Sequence, residues 1–149
     1  MTVINFLRAL RGMLEREYLK IDAELEPLRI PSTDAERALW KKLHRLHFVH
    51  DRLDGIFPDF YMLNFFQREL DKQRPATVNE GFDALREFLK REWHETNAEF
   101  ERLNVPPTEQ PTDAERALWR KLDDLLWIHR DIRRVILDFH EFGFLDREL

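Results

Sequence analysis

TDAERALW stands at residues Thr33 to Trp40, and the same eight letters return at Thr112 to Trp119. The match reaches further. TVINFLRALRGMLEREY from Thr2 aligns with TVNEGFDALREFLKREW from Thr77, and FYMLNFFQREL from Phe60 aligns with FHEFGFLDREL from Phe139. An internal period is settled before any fold is assigned, because it means one structural unit used twice. The units span about 1–73 and 76–149, linked by DKQRPAT at about 71–77, in a single helical domain over 1–149. A unit of this size buries only a modest share of its surface by itself. The two units are therefore expected to share one core.

Read physically, the repeated octet is a helix start. Thr33 with Glu36, and Thr112 with Glu115, have the spacing of a capping box. The threonine oxygen accepts a free backbone N–H and the glutamate reaches back to the cap. Thr77 with Glu80 has the same spacing. Breakers precede two of these starts: Ile30-Pro31-Ser32, and the longer NVPPTEQPT ending at Thr112. Proline removes a donor and turns the preceding residue away from helical angles.

Apolar residues then recur at steps of three and four. Val3, Leu7, Leu10, Leu14, Tyr18, Ile21, Leu25 and Leu28 fall on one helical face. The aligned stripe runs Val78, Phe82, Leu85, Leu89, Trp93, Thr96, Phe100 and Leu103. Each implies a helix of about 40 Å. The second helix carries Leu39, Leu43, Leu46, His50, Leu53 and Phe57, answered by Leu118, Leu122, Leu125, His129, Ile132 and Ile136. Pro58 is expected to end this helix, with a shorter third helix from Asp59 to about Lys72. Leu137 replaces that proline in the second unit, so helix five is expected to run on towards a break near Gly143, ahead of a short sixth helix. The fold class that follows is all-α: a tandem duplication of a three-helix unit, two long helices plus one short. The four long helices pack as a pseudo-two-fold antiparallel bundle.

Composition narrows the function. The net charge is -5, with the first unit near neutral and the second acidic. Neither unit carries a block of Lys and Arg, so the footprint of a nucleic-acid binder is missing. No apolar run approaches the roughly 20 residues of a transmembrane segment. Cysteine is absent, which removes disulfides and thiolate chemistry and is compatible with a cytoplasmic location. The only serine, Ser32, has no nucleophile elbow around it, and there is no Gly-rich phosphate loop or His-Glu-x-x-His.

Three groups of side chains are candidates. His50 and His129 interrupt the apolar stripes at aligned positions, at the expected height of Glu17 and Glu92. These four would form the site of a metal- or small-ligand-binding bundle, possibly enzymatic. Di-iron bundles need a Glu-x-x-His on two helices, and His47 and Leu126 stand where those glutamates belong. His44, His47 and Asp51 lie along one helical face in the first unit only and read as a solvated polar face. The third group is aromatic: Trp40 and Trp119 at the stripe edge, then Tyr61, Phe65 and Phe66, more apolar surface than one face of a short helix needs. The leading expectation is a small helical-bundle binding or regulatory protein with no catalysis and no cofactor. It would act on another protein, or on its own copy, through those aromatic anchors.

Overall fold

Each helix of the computed structural model begins at a threonine. The structure describes residues 1–27, 33–71, 74–103, 106 and 109–149. They form a four-helix bundle: α1 (Val3–Leu25), α2 (Asp34–Met62), α3 (Val78–Arg102) and α4 (Asp113–Glu141). Leu28, the Ile30-Pro31-Ser32 breaker and much of the proline-rich NVPPTEQPT lie outside the described residues. Thr2, Thr33, Thr77 and Thr112 are the N-caps, each accepting the backbone N–H three residues on. The reciprocal capping box is complete at Thr33 and Glu36. At α3 the Glu80 carboxylate takes the Ala76 N–H, one residue earlier.

Two expectations about the helix ends are corrected. Pro58 does not stop α2, which runs through it to Met62. Proline at this position forfeits a single intrahelical bond and crowds one carbonyl. Pro58 is exposed, so water can serve what it frees, while Ile56 and Phe60 keep the last turns anchored in the core. Nor are there short third and sixth helices among the described residues. Both long helices end in a Schellman turn. After α2, Asn64 takes a φ of 58° and Phe65 N–H reaches back to Phe60 O at 3.0 Å. After α4, Gly143 takes a φ of 72° and Phe144 N–H reaches Phe139 O at 2.9 Å. The hydrophobic contact belonging to this motif is present in both: Phe60 against Phe65, and Phe139 against Phe144. α4 runs on past Leu137 and stops just before Gly143, where the sequence placed the break.

Beyond the turn the chain returns along the start of the preceding helix. Val3 N–H donates to Arg68 O at 2.9 Å, Ile4 N–H to Phe66 O at 3.0 Å, and Leu70 N–H to Met1 O at 2.9 Å. Val78 donates to Arg147 O at 2.9 Å, Asn79 to Leu145 O at 2.8 Å and Leu149 to Ala76 O at 3.1 Å. The first four N–H groups of a helix have no intrahelical partner. Here the threonine cap and the returning tail serve them all for α1 and α3.

The core uses the stripes and a second line the stripes did not contain. α1 packs on α2, α3 on α4, and α2 on α4; α1 and α3 touch briefly. Arg11 meets Asp54 and Phe57, Glu15 meets His50, and Tyr18 meets His47. Val49 and Ile56 on α2, with Ile128 and Val135 on α4, are fully or almost fully buried, which α2 and α4 achieve by packing together. Where α1 touches α3, Phe6 lies against Gly81: a Cβ there would sit 2.1 Å from the Phe6 ring. Among the described residues buried charge is confined to two carboxylates, Glu17 and Glu92. Arg147 donates to Glu17 and Arg68 to Glu92, so each tail arginine reaches the other half of the sequence. Burial raises the Glu17 carboxyl, but Arg147 and Lys20 together outweigh it and hold the group below its ordinary value. Among the described residues no helix is long and apolar enough to cross a membrane.

Candidate functional site

Two grooves occupy aligned places, one between α1 and α2 and one between α3 and α4. The first, about 370 Å³, is lined by Leu14, Glu15, Tyr18, Leu19, Leu46, His47 and His50. The second, about 280 Å³, is lined by Leu89, Lys90, Trp93, Leu125, Leu126 and His129. A polar recess of about 400 Å³ adjoins it, bounded by Asp83, Arg86, Glu87, Lys90 and His129. The floor of each groove is leucine from the apolar stripe. The rim is set by side chains one helical step off it.

The rims differ in charge. In the first, His50 Nε2 lies 3.2 Å from Glu15 and Nδ1 lies 3.3 Å from Asp54. Arg11 stands 3.4 Å from Asp54 and 3.9 Å from Glu15, closing a network of one cation, one histidine and two carboxylates. In the second, the aligned positions hold Arg86, Lys90, His129 and Arg133. No ion pair engages Arg86, Lys90 or Arg133 among the described residues. Burial, then Arg86 and Arg133, push the His129 ring below its ordinary value of 6.5, so it stands neutral among cations. In the first groove the one cation is met by two carboxylates, whereas around the second Arg86, Lys90 and Arg133 outnumber Asp83 and Glu87.

The sequence placed Glu17 and Glu92 beside the histidines, and the structure does not bring them together. Glu17 pairs with Arg147 and Lys20, and Glu92 with Arg68 and Lys121. Glu15, two positions before Glu17, is the carboxylate that meets His50. Two residues turn a helix by about 200°, so the right height was paired with the wrong face. Among the described residues no group of three His, Asp or Glu is placed to hold a metal ion. His47 lies 3.8 Å from Asp51, and His44 packs on Trp40 instead.

The aromatic candidates separate. Phe65 is buried at 2 % exposure against Phe88, so its ring belongs to the core and is not presented to a partner. Phe66 is half-buried between Phe57 and Tyr61. Tyr61 is exposed, beside Met62. Trp40 packs against the core and its indole N–H is buried without a hydrogen-bond partner, while the aligned Trp119 is 66 % exposed. Leu126, Trp127 and Leu137 continue that exposure along α4. Sequence reading passed over Leu126, Trp127 and Leu137 because they fall outside the 3–4 stripe. Their signal was an apolar residue where a solvated face expects polar ones.

Comparison with protein-family models, with curated proteins and with solved structures gives no significant match to this chain.

Proposed function

We propose that this chain is a duplicated helical hairpin that works as a non-catalytic protein-binding module, docking another protein on the outward face of α4. The duplication is supported by the sequence repeat together with contacts made twice at aligned positions: the Schellman turns, the returning tails and the Arg68–Glu92 and Arg147–Glu17 pairs. Antiparallel packing about a pseudo-two-fold axis is supported by the order of contacts, since rising numbers on α1 meet falling numbers on α2.

The observation that carries the binding reading is the row of large apolar side chains left in water. Trp119, Leu126 and Leu137 lie on one line of α4 with Trp127 beside it, each more than half exposed. Exposed apolar surface gathered on one face marks interaction sites, and tryptophan is enriched among binding hot spots. The molecule also exposes 10084 Å², against about 8,100 Å² for a compact monomer of its 18.2 kDa mass. α2 before Leu43, α4 before Leu122 and α3 after Thr96 have no fully buried side chain.

A photo-crosslinking amino acid at Trp127 or Leu126, in the native host, tests this reading. A defined adduct from both positions, absent from a control at Glu24 and lost in a folded Trp119→Ala variant, is the expected outcome. Equal labelling from all three positions overturns the α4 face as a docking surface.

A further inference from the structure

The two grooves provide a comparison within one molecule. They share their leucine floor and their histidine, and they differ in the ring of charge. Around His50 the positive charge of Arg11 is met by Glu15 and Asp54 within the fold. Around His129 the aligned carboxylates are replaced by Lys90 and Arg133, and Arg86 keeps the place of Arg11. Asp83 and Glu87 border the adjoining recess, but neither forms an ion pair with these three cations among the described residues. Like charges gathered over an apolar wall focus the field and concentrate counter-ions of opposite sign. The recess, at about 400 Å³, is of the size that small-molecule sites occupy, about 300–1,000 Å³, and the groove of about 280 Å³ joins it through Lys90 and His129. One side is leucine and tryptophan, and the other carries Arg86 and Lys90 alongside Asp83 and Glu87.

We propose that the α3–α4 groove binds a small amphipathic carboxylate, its apolar body against Leu89, Trp93 and Leu125 and its head among Arg86, Lys90 and Arg133. The α1–α2 groove, self-neutralised, does not bind it. Neutral His129 can donate one ring N–H to the carboxylate without adding charge. Arg86 on α3 and Arg133 on α4 both act electrostatically on His129, so a head beside that ring meets positive charge from both helices. This site borders the α4 docking row at Leu126, and its test reads Trp93 and His129, which the row does not include, so either reading can fail without the other.

Octanoate is titrated into the full chain, with the Trp93 indole N–H and the His129 ring followed by NMR. Saturable shifts at both are expected, with the Tyr18 and His50 signals unmoved. Octanamide, which keeps the tail and removes the charge, binds at least tenfold more weakly, and so does inorganic phosphate, which keeps the charge and removes the tail. Lys90→Glu with Arg133→Asp, which writes the first groove's charges into the second, lowers octanoate affinity at least tenfold. Lys90→Gln with Arg133→Gln gives a smaller loss, and covers the case where the charge reversal disturbs folding. Octanamide or phosphate binding as tightly as octanoate, equal shifts in both grooves, or no saturation overturns the proposal.

Discussion

Phe6 and Gly81 stand at aligned positions and meet each other, which makes them a paired knob and hole. Glycine inside a helix is usually a loss of about 1 kcal/mol against alanine. At Gly81 the sign reverses, because a Cβ would overlap the buried Phe6 ring. Overpacking a filled core costs about 1–3 kcal/mol, so the clash outweighs the propensity. Gly81→Ala is expected to lower stability by about 1–2 kcal/mol net, read from urea unfolding. Phe6→Leu in the same chain should recover part of that loss. An alanine variant more stable than the parent would show that the ring moves aside freely. No stripe of periodic residues could have revealed this pair, since both residues sit beside the stripe and the clash exists only when α1 touches α3.

At the level of the element, the ends of α2 and α4 repay attention more than their middles. A left-handed residue at the Schellman position is tolerated by Asn and free for Gly. Gly143→Val is expected to destabilise by about 1–2 kcal/mol, a fall in melting temperature of about 2–8 °C at about 2–4 °C per kcal/mol, whereas Asn64→Gly should leave it nearly unchanged. Equal effects from the two substitutions would count against the turn geometry. Helix starts and single core stripes were legible in the sequence because capping threonines and 3–4 spacing are local. The tail was not. Phe60 to Leu70 has the apolar density of a helix, and only the turn at Asn64 and the hydrogen bonds of the tail to the start of α1 explain why the helix stops at Met62. The line of Val49, Ile56, Ile128 and Val135 was missed for a related reason: it faces a helix from the other unit.

Over the whole molecule, the joint between α2 and α4 is matched in shape and mismatched in charge. On one edge Arg52 pairs with Asp138 at 2.6 Å and Arg45 pairs with Glu141. Burial, with Glu141 beside it, nevertheless raises the Asp138 carboxyl against the pull of Arg52 and Arg45. On the other edge the aligned positions bring Asp131 and Asp124 towards Asp59, with no compensating cation paired to them among the described residues. Burial, then Asp131 and Asp124, raise the Asp59 carboxyl above its ordinary 3.8. A carboxyl raised on folding contributes stability below its unfolded pKa, and that contribution is lost as pH rises through the folded value. Asp59→Asn is therefore expected to stabilise the protein at pH 7 by about half a kcal/mol and to make no difference well below pH 4. A pH series of melting temperatures checks both limbs, and a uniform offset at every pH would argue against repulsion as the cause. The grooves follow the same pattern, with aligned places holding different charges. The sequence showed where His50 and His129 stand. It could not show which neighbours surround them, because the facing helix supplies those.

The returning tails carry one more implication, for chain topology. Met1 is bonded to Leu70, and Leu149 to Ala76, through the backbone. Under the proposed two-fold relation, the path from Leu70 to Ala76 has a counterpart from Leu149 to Met1, open in this chain and closed by the linker in the other place. The fold of residues 1–149 then closes on itself as a ring, and the order in which the chain traverses it is arbitrary. A circular permutant joining Leu149 to Met1 through a copy of residues 71–75, and opened within the original 71–75, should fold with its melting temperature and far-UV spectrum preserved. A permutant that collapses to a disordered chain would mean that the order of the halves, and not only their mutual fit, determines the fold.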